Sequence, residues 1–524
     1  MSRVLLIGLD GADPALLSQW MDAGLLPHLA ALRTRGTFCP LTTTRPPVTF
    51  PAWTTCVTGV NPGKHGIFDF TRQQRGAHAI RFINSTYRRV PALWNILSSA
   101  GKRVCVVGVP ATYPPEPVNG VLVAGFDSPV TTRIDASFVY PESAWAQVKD
   151  WRFADFQEGN IGAGWHDHAH RKLLEGIATK EAILLRLMDQ EPWDFFMAVF
   201  GEVDTASHHF WLFHDEASPR HRPGPKDALR EVYVRLDTAV GRLVARGGED
   251  THVLVVSDHG FQGAGTGVVH LNNWLAELGW LQFTPAPRNT LKSLALRLVP
   301  PALRGALFRR FAPLVNRVES QSRFGGIDWS RTRAWSEELN YFPAIRLNLA
   351  GRDPAGVVPQ NDYDATVEAL CAALMQWEHI AHAWPRAALF DGPEVEHAPD
   401  IVLELATENG YAHSCLRSRG GPAFRRLAPG EYFGGKEKGT SGVHRDPGIL
   451  LSSMPVNAEI PHIADIAPTV LHLLGVPGPP MDGASLTGGA LSPGAVAARP
   501  APAPYTPEEE AVLEERLRAL GYLE

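Results

Sequence analysis

Aspartate, histidine and threonine residues able to bind metal ions and attack an ester recur at five separated places. They are Leu9-Asp10-Gly11, Val48-Thr49-Phe50-Pro51, Asp204-Thr205-Ala206-Ser207-His208, Ser257-Asp258-His259-Gly260 and Gly442-Val443-His444. Carboxylate oxygens and imidazole nitrogens in such a set suit divalent ions such as zinc or manganese. An acidic residue at the end of an apolar strand needs something to compensate its burial, and three of these sites follow apolar runs. Asp204 and His208 stand four apart, so on a helical turn they share a face and can chelate one ion. Glu202 and His209 compete for that role, and the spacing favours His208. Asp258 and His259 can serve one metal from a turn that Gly260 permits. His444 falls in a glycine-flanked stretch, residues 439–445, that reads as a flexible loop.

Thr49 is the candidate nucleophile. It stands among Pro46, Pro47 and Pro51, which forbid a regular strand and fix a turn. A helix over residues 53–58 would aim its amino-terminal dipole at the hydroxyl and at a bound phosphate. A threonine hydroxyl is a weak nucleophile unless a metal or a base lowers its pKa, and the other motifs offer the metal. The plain alternative is an N-cap threonine in a proline-rich turn. Phe50 and Trp53 read either as core residues or as a platform against the substrate.

The elements that must position these groups are visible as short, β-branched apolar runs at residues 4–9, 104–109, 195–200, 253–256, 401–405 and 449–451. Such runs suit strands buried on both faces of a parallel sheet. Helical stretches lie between them, for example residues 14–33 and 173–190. The alternation predicts an α/β fold with a doubly wound, mostly parallel central sheet and helices on both faces. Function in such sheets gathers at the carboxyl ends of the strands, and Asp10, Asp204 and Asp258 fall there. The rhythm divides the chain into a first core part (1–270), an inserted cap or lid (271–398), a second core part (399–489), and a linker with a carboxyl-terminal helix (490–524). Within the cap, residues 288–323 carry Lys292, Arg297, Arg304, Arg309, Arg310 and Arg317 against the single acid Glu319. They read as amphipathic helices with a solvated basic face, or as a lid over an anionic substrate or a contact with an acidic membrane. In the tail, Thr506-Pro507-Glu508-Glu509 has capping-box spacing.

Composition narrows the class. With 524 residues and 44% hydrophobic content the chain is an ordinary globular protein, and its net charge of −6 argues against nucleic-acid binding. Five cysteines without CxxC pairing read as reduced thiols in a cytoplasmic protein. No leader-like start and no apolar run of roughly 18 residues is expected to anchor it in a membrane.

With these motifs, the chain resembles the alkaline phosphatase superfamily, nearest its type I phosphodiesterase and nucleotide pyrophosphatase branch. Val57-Thr58-Gly59, His65-Gly66-Ile67 and Asp465-Ile466-Ala467-Pro468-Thr469-Val470-Leu471 add to the match. The resemblance implies an alkaline phosphatase-like fold and two divalent ions, usually zinc. One would be held by Asp204, His208 and His444, the other by Asp10, Asp258, His259 and the Thr49 oxygen. It implies hydrolysis of a small phosphate ester, most of all a diester or pyrophosphate, through a covalent phosphothreonine. A phosphomonoesterase, a phosphonate hydrolase, a phospho-group transferase or a catalytically silent binding module are the alternatives. Where that branch has a phosphate-holding asparagine, this chain has Phe70 beside Asp69, which speaks against a nucleotide pyrophosphate substrate. The sulfatase branch needs a cysteine or serine at the place of Thr49. Oligomeric state is left open.

Overall fold

The computed structural model describes residues 2–125, 135–151, 161–284, 326–418, 420–432, 440–494 and 505–506. Eight strands form the central sheet: β1 (Arg3–Leu9), β2 (Thr37–Leu41), β3 (Val104–Val107), β4 (Gly120–Val123), β5 (Val139–Tyr140), β6 (Phe195–Phe200), β7 (Thr251–Val256) and β8 (Gly448–Ser452). Their spatial order is β2-β8-β7-β1-β6-β3-β4-β5. The five strands β7, β1, β6, β3 and β4 run parallel, while β8 lies antiparallel to both β2 and β7. Side chains alternate between the faces. Leu5, Ile7 and Leu9 enter one core with the helices Trp165–Gln190 and Ala228–Gly247, whereas Val4 and Leu6 enter another with Ile466–Leu473. Helices cover both faces, so the strands are apolar throughout.

Several elements depart from the sequence expectation. The stretch expected as one helix over 14–33 is two, Pro14–Asp22 and Pro27–Arg35. Gly24 takes φ +72°, and the residue before Pro27 is disfavoured from helical dihedrals. The third strand stops at Val107 because Gly108 turns at φ +74°. The run at 401–405 is not a strand of the central sheet. It pairs antiparallel with Ala344–Leu347 and Ile380–Pro385 in a separate four-stranded sheet, flanked by the helix Tyr363–Leu374. A third sheet is built on the ten-residue strand Gly260–Val269, which pairs with Tyr411–Cys415, Phe424–Arg426 and Gly442–Arg445. The basic stretch 288–323, most of the linker 490–504 and the helix expected after Thr506 lie outside the described residues. Among the described residues no helix is long and apolar enough to cross a membrane.

Candidate metal centre

Three adjacent parallel strands end at the same level. Leu9 pairs with Phe200 and Gly8 with Val256, so the residues after β1, β6 and β7 emerge side by side. After β1, the Asp10 N–H donates to the Phe200 carbonyl at 2.9 Å and the Gly11 N–H to Asp258 Oδ1 at 3.3 Å. Ala12 N–H donates to Ser257 Oγ at 2.9 Å, and that hydroxyl donates to the His259 carbonyl at 2.6 Å. The motif after β1 is thus stitched to the motif after β7. Gly11 sits at φ +73°, and a Cβ there would lie 2.6 Å from the Phe261 ring. Glycine is needed on both counts.

Two helices supply further groups. In α1 (Thr49–Thr58) Thr49 is the first helical residue. The helix therefore begins four residues earlier than the expected 53–58. Pro51 does not prevent this, because first-turn N–H groups have no intrahelical partner to lose. In α2 (Glu202–His214), Asp204 lies in the first turn and His208 one turn on. Glu202 instead pairs with Lys180 at 3.1 Å, and His209 packs on Trp165. His444 does not lie in a loop. It stands in the strand Gly442–Arg445 directly opposite Phe261, a pairing across nearly two hundred residues that local sequence cannot reveal.

These elements gather all seven candidate residues into one cluster. His444 Nε2 lies 3.0 Å from Asp204 Oδ1 and 3.0 Å from His208 Nε2, and His208 Nε2 is 3.3 Å from Asp204 Oδ1. On the other side His259 Nε2 lies 3.4 Å from Asp258 Oδ2, 3.6 Å from Asp10 Oδ1 and 3.4 Å from Thr49 Oγ1. The His259 and His444 rings stack with centroids 3.7 Å apart and join the halves. Ligand atoms of Asp10, Asp258 and His259 lie within 4.8 Å of one another, as do those of Asp204, His259 and His444.

Backbone carbonyls set the tautomers. Nδ1 of His208 faces the Gly442 carbonyl at 2.8 Å, that of His259 the Gly260 carbonyl at 3.2 Å, and that of His444 the Pro47 carbonyl at 2.9 Å. A carbonyl only accepts, so each Nδ1 carries the proton and each Nε2 keeps its lone pair. Three lone pairs and three buried carboxylates (Asp10, Asp204, Asp258) then point into one space. Burial, with Asp10 and Asp204 beside it, pushes the Asp258 carboxyl well above the usual range. Burial and then His444 hold His259 well below the ordinary imidazole value. Such a donor set is short of positive charge, and divalent cations fit it.

Of the two readings of Phe50 and Trp53, the structure shows the core one. Phe50 and Trp53 are buried in the core, and neither offers a face to a substrate. Trp53 instead donates its indole N–H to Asp10 Oδ2 at 3.1 Å. The sequence reading missed that role. The available signal was its four-residue spacing from Thr49, which puts both on one helical face. Phe70 packs against Phe50 and Tyr341, with centroids 4.3 and 5.4 Å apart. The cluster opens into a cleft of about 460 Å³ between the sheet built on Gly260–Val269 and the four-stranded sheet, lined in part by His208, His444, Tyr341, Val402, Arg45 and Trp384.

The chain was compared with known proteins. The family model for type I phosphodiesterase/nucleotide pyrophosphatase matches residues 4–420. Comparison with curated proteins finds no match. Among solved structures, phosphonoacetate hydrolase from Sinorhizobium meliloti 1021, in complex with phosphonoformate, shares 16% identity at a TM-score of 0.53, covering 91% of this chain and 95% of that one. Murine ectonucleotide pyrophosphatase/phosphodiesterase 5 shares 13% identity at a TM-score of 0.46, covering 92% and 97%. The first likeness supports the alkaline phosphatase-like fold. From the family match over most of its length, the chain is a phosphoester hydrolase and belongs to the type I phosphodiesterase/nucleotide pyrophosphatase family.

Proposed function

We propose that the chain is a two-metal phosphodiesterase acting through a covalent phosphothreonine at Thr49. The observation that carries this reading is the convergence of three imidazole lone pairs and three buried carboxylates beside the Thr49 hydroxyl. Asp204, His208 and His444 would hold one ion, and Asp10, Asp258, His259 and Thr49 Oγ1 the other. Two bound divalent ions, zinc or manganese, would supply Lewis acidity, lowering the pKa of the hydroxyl and offsetting charge on the phosphoryl oxygens. Thr49 Oγ1 attacks phosphorus. The P–Oγ1 bond forms, the bond to the leaving oxygen breaks, and the hydroxyl proton is released. Water then attacks the same phosphorus, breaks P–Oγ1 and restores the hydroxyl. As the first residue of α1, Thr49 holds the attacked phosphoryl at the positive end of the helix dipole.

A diester preference draws no support from Phe50, Ala52, Trp53 and Val57, which the core encloses. Its support is the wall of the cleft, where Tyr341, Pro343, Val402 and Leu403 suit a second ester group better than a bare, hydrated oxygen. Residues 271–398, with the strand Ile401–Leu405, act as the cap in this reading. Five free cysteines support a cytoplasmic setting. Bis(4-nitrophenyl) phosphate should be cleaved faster than 4-nitrophenyl phosphate by the zinc- or manganese-loaded protein. Thr49→Ala should lose at least about a thousandfold in kcat with metal content retained, and Thr49→Ser should keep measurable activity. A rapid-quench digest of wild type should show the adduct on the Thr49 peptide. Equal rates for wild type and Thr49→Ala would mean that water attacks directly.

A further inference from the structure

The cleft opens on the His208 and His444 side of the cluster, and its far wall carries a charge the cluster does not use. Arg45 stands four residues before Thr49 and is exposed. Its guanidinium lies 5.3 Å from the ring centroid of Trp384, which comes from the four-stranded sheet. Trp384 is backed in turn by the stacked ring of His382. Two residues beyond Arg45, the Pro47 carbonyl is bonded to His444, so this stretch is pinned to the cluster. Three other charged groups line the cleft: Glu404, Arg445 and Asp446. Arg445 is bonded to Asp13 at 2.8 Å, and Asp446, which accepts the Thr43 N–H at 3.1 Å, lies near enough to Arg45 to feel its charge without forming an ion pair. Lys64 is held by Asp482 and Asp391. Glu404 comes from the same four-stranded sheet as Trp384, paired with His382, and lines the cleft beside it. Among the described residues Arg45 enters no ion pair. A guanidinium stacked on a ring keeps its planar N–H fork for a partner, and that fork matches a carboxylate or phosphate.

We infer that Arg45 and Trp384 form the leaving-group subsite, and that the substrates are phosphate diesters whose leaving group carries a second anionic group on a flat or apolar body. This rests on the proposed reaction. In-line attack by Thr49 expels the leaving oxygen away from its hydroxyl, and the open side of the cluster is the cleft. Of the seven cluster residues, His208 and His444 line that cleft, and Arg45 and Trp384 line it with them. Its room, about 460 Å³, accommodates a group of that size. Tryptophan would take the flat body and arginine the anion.

The test uses methyl aryl phosphates whose aryl groups are phenyl, 4-carboxyphenyl, 4-phosphonophenyl and 4-(trimethylammonio)phenyl. For each, kcat/KM of the metal-loaded Arg45→Gln protein is divided by that of wild type, which cancels leaving-group reactivity. The ratio should fall about tenfold for the two anionic esters, mainly through KM, and less than about twofold for phenyl. The carboxylate and phosphonate arms tell which anion is preferred. Trp384→Leu should weaken all the aryl esters alike. An equal loss on all four with Arg45→Gln would place Arg45 at the transferred phosphoryl and overturn the subsite. No loss on any, or a wild-type preference for the cationic ester, would overturn it too. If wild type cleaves none of them, the reaction reading has failed. Calorimetric binding of the 4-carboxyphenyl ester then decides the subsite: tenfold weaker binding to Arg45→Gln supports it, and equal binding refutes it.

Discussion

Replacing Trp53 by phenylalanine isolates one hydrogen bond at the centre of the candidate site. The indole is fully buried, and its N–H donates to Asp10 Oδ2 at 3.1 Å. Its ring edge meets β1 at Gly8, where a Cβ would come within 2.4 Å of the ring. Phenylalanine keeps most of the packing and loses the donor. A buried hydrogen bond to a charged group contributes about 1.5–3 kcal/mol, and losing a partner that orients a metal ligand typically costs 10–100-fold in metal affinity. The removed donor also makes the Asp10 carboxylate more basic, which opposes the loss. Orientation is expected to dominate, because the carboxylate otherwise gains rotational freedom inside a crowded site.

The control is Trp94→Phe. Trp94 is equally buried and donates to Glu116 at 2.8 Å, in the core on the same face of the sheet, its hydrogen bond going to a residue outside the cluster. Both variants should lose roughly 2 kcal/mol of stability in the metal-free protein, from lost packing and a lost donor. In chelator-buffered zinc titrations followed by calorimetry, Trp53→Phe should bind at least tenfold more weakly than wild type and Trp94→Phe within about twofold. Trp53→Phe with wild-type zinc affinity, at a stability loss like that of Trp94→Phe, would show that the indole is only a filler and would refute the reasoning.

Two further outcomes follow from the buried charges. In metal-free protein, Asp258→Asn should raise stability by about 1–3 kcal/mol, because it removes one of three neighbouring buried carboxylates and keeps an oxygen for the Gly11 N–H; zinc should then no longer raise its melting temperature as it does for wild type, and a metal-free variant less stable than wild type would contradict the crowding argument. His65 accepts the Ile67 N–H at Nδ1 and meets Thr55 Oγ1 at 3.0 Å, and burial, with Arg88 adding to it, holds its pKa down to about 3. The unfolded imidazole takes its proton below about 6.5 and the folded one only near 3. Its stabilisation is therefore complete above pH 6.5 and declines on acidification, by up to about 1.4 kcal/mol per pH unit. Denaturant unfolding of chelated wild type and His65→Gln between pH 7 and 4 should show the steeper fall in wild type, and parallel slopes would disprove it.

How much of this was legible follows from what each signal measures. Apolar β-branched runs report burial on both faces, so β1, β6 and β7 were visible, and with them the strand ends that carry Asp10, Asp204 and Asp258. The same signal cannot name a partner strand. Ile401–Leu405 is as buried at its start as any core strand, yet it pairs in another sheet. Pro51 read as part of a turn ahead of the helix, and it sits instead in the helix's first turn, where it breaks nothing. Trp53 was legible as a core residue but not as a donor, since its acceptor lies more than forty residues away. The same holds for the carbonyls of Pro47, Gly442 and Gly260, which set the three tautomers and come from backbone that carries no side-chain signal.

The register of three strands carries the chemistry, and this explains why the site stands on the sheet rather than on loops. With Leu9 opposite Phe200 and Gly8 opposite Val256, the first turns after β1, β6 and β7 lie level, and hydrogen bonds from Asp10 to Phe200 and from Gly11 to Asp258 lock them. A slip of one residue in β1 would move Leu5, Ile7 and Leu9 into the opposite core and turn Asp10 away from His259. Both faces are apolar, so the cost of that slip is misfit rather than exposure: it would put a side chain in the place of Gly8, where a Cβ would come within 2.4 Å of the Trp53 ring. The packing of β1 therefore sets the position of the donors before an ion is present. The opposite wall of the cleft, built by Tyr341, Val402 and Trp384 from a separate sheet, has no such link to the register. It is free to vary with the leaving group while the donor set stays as it is.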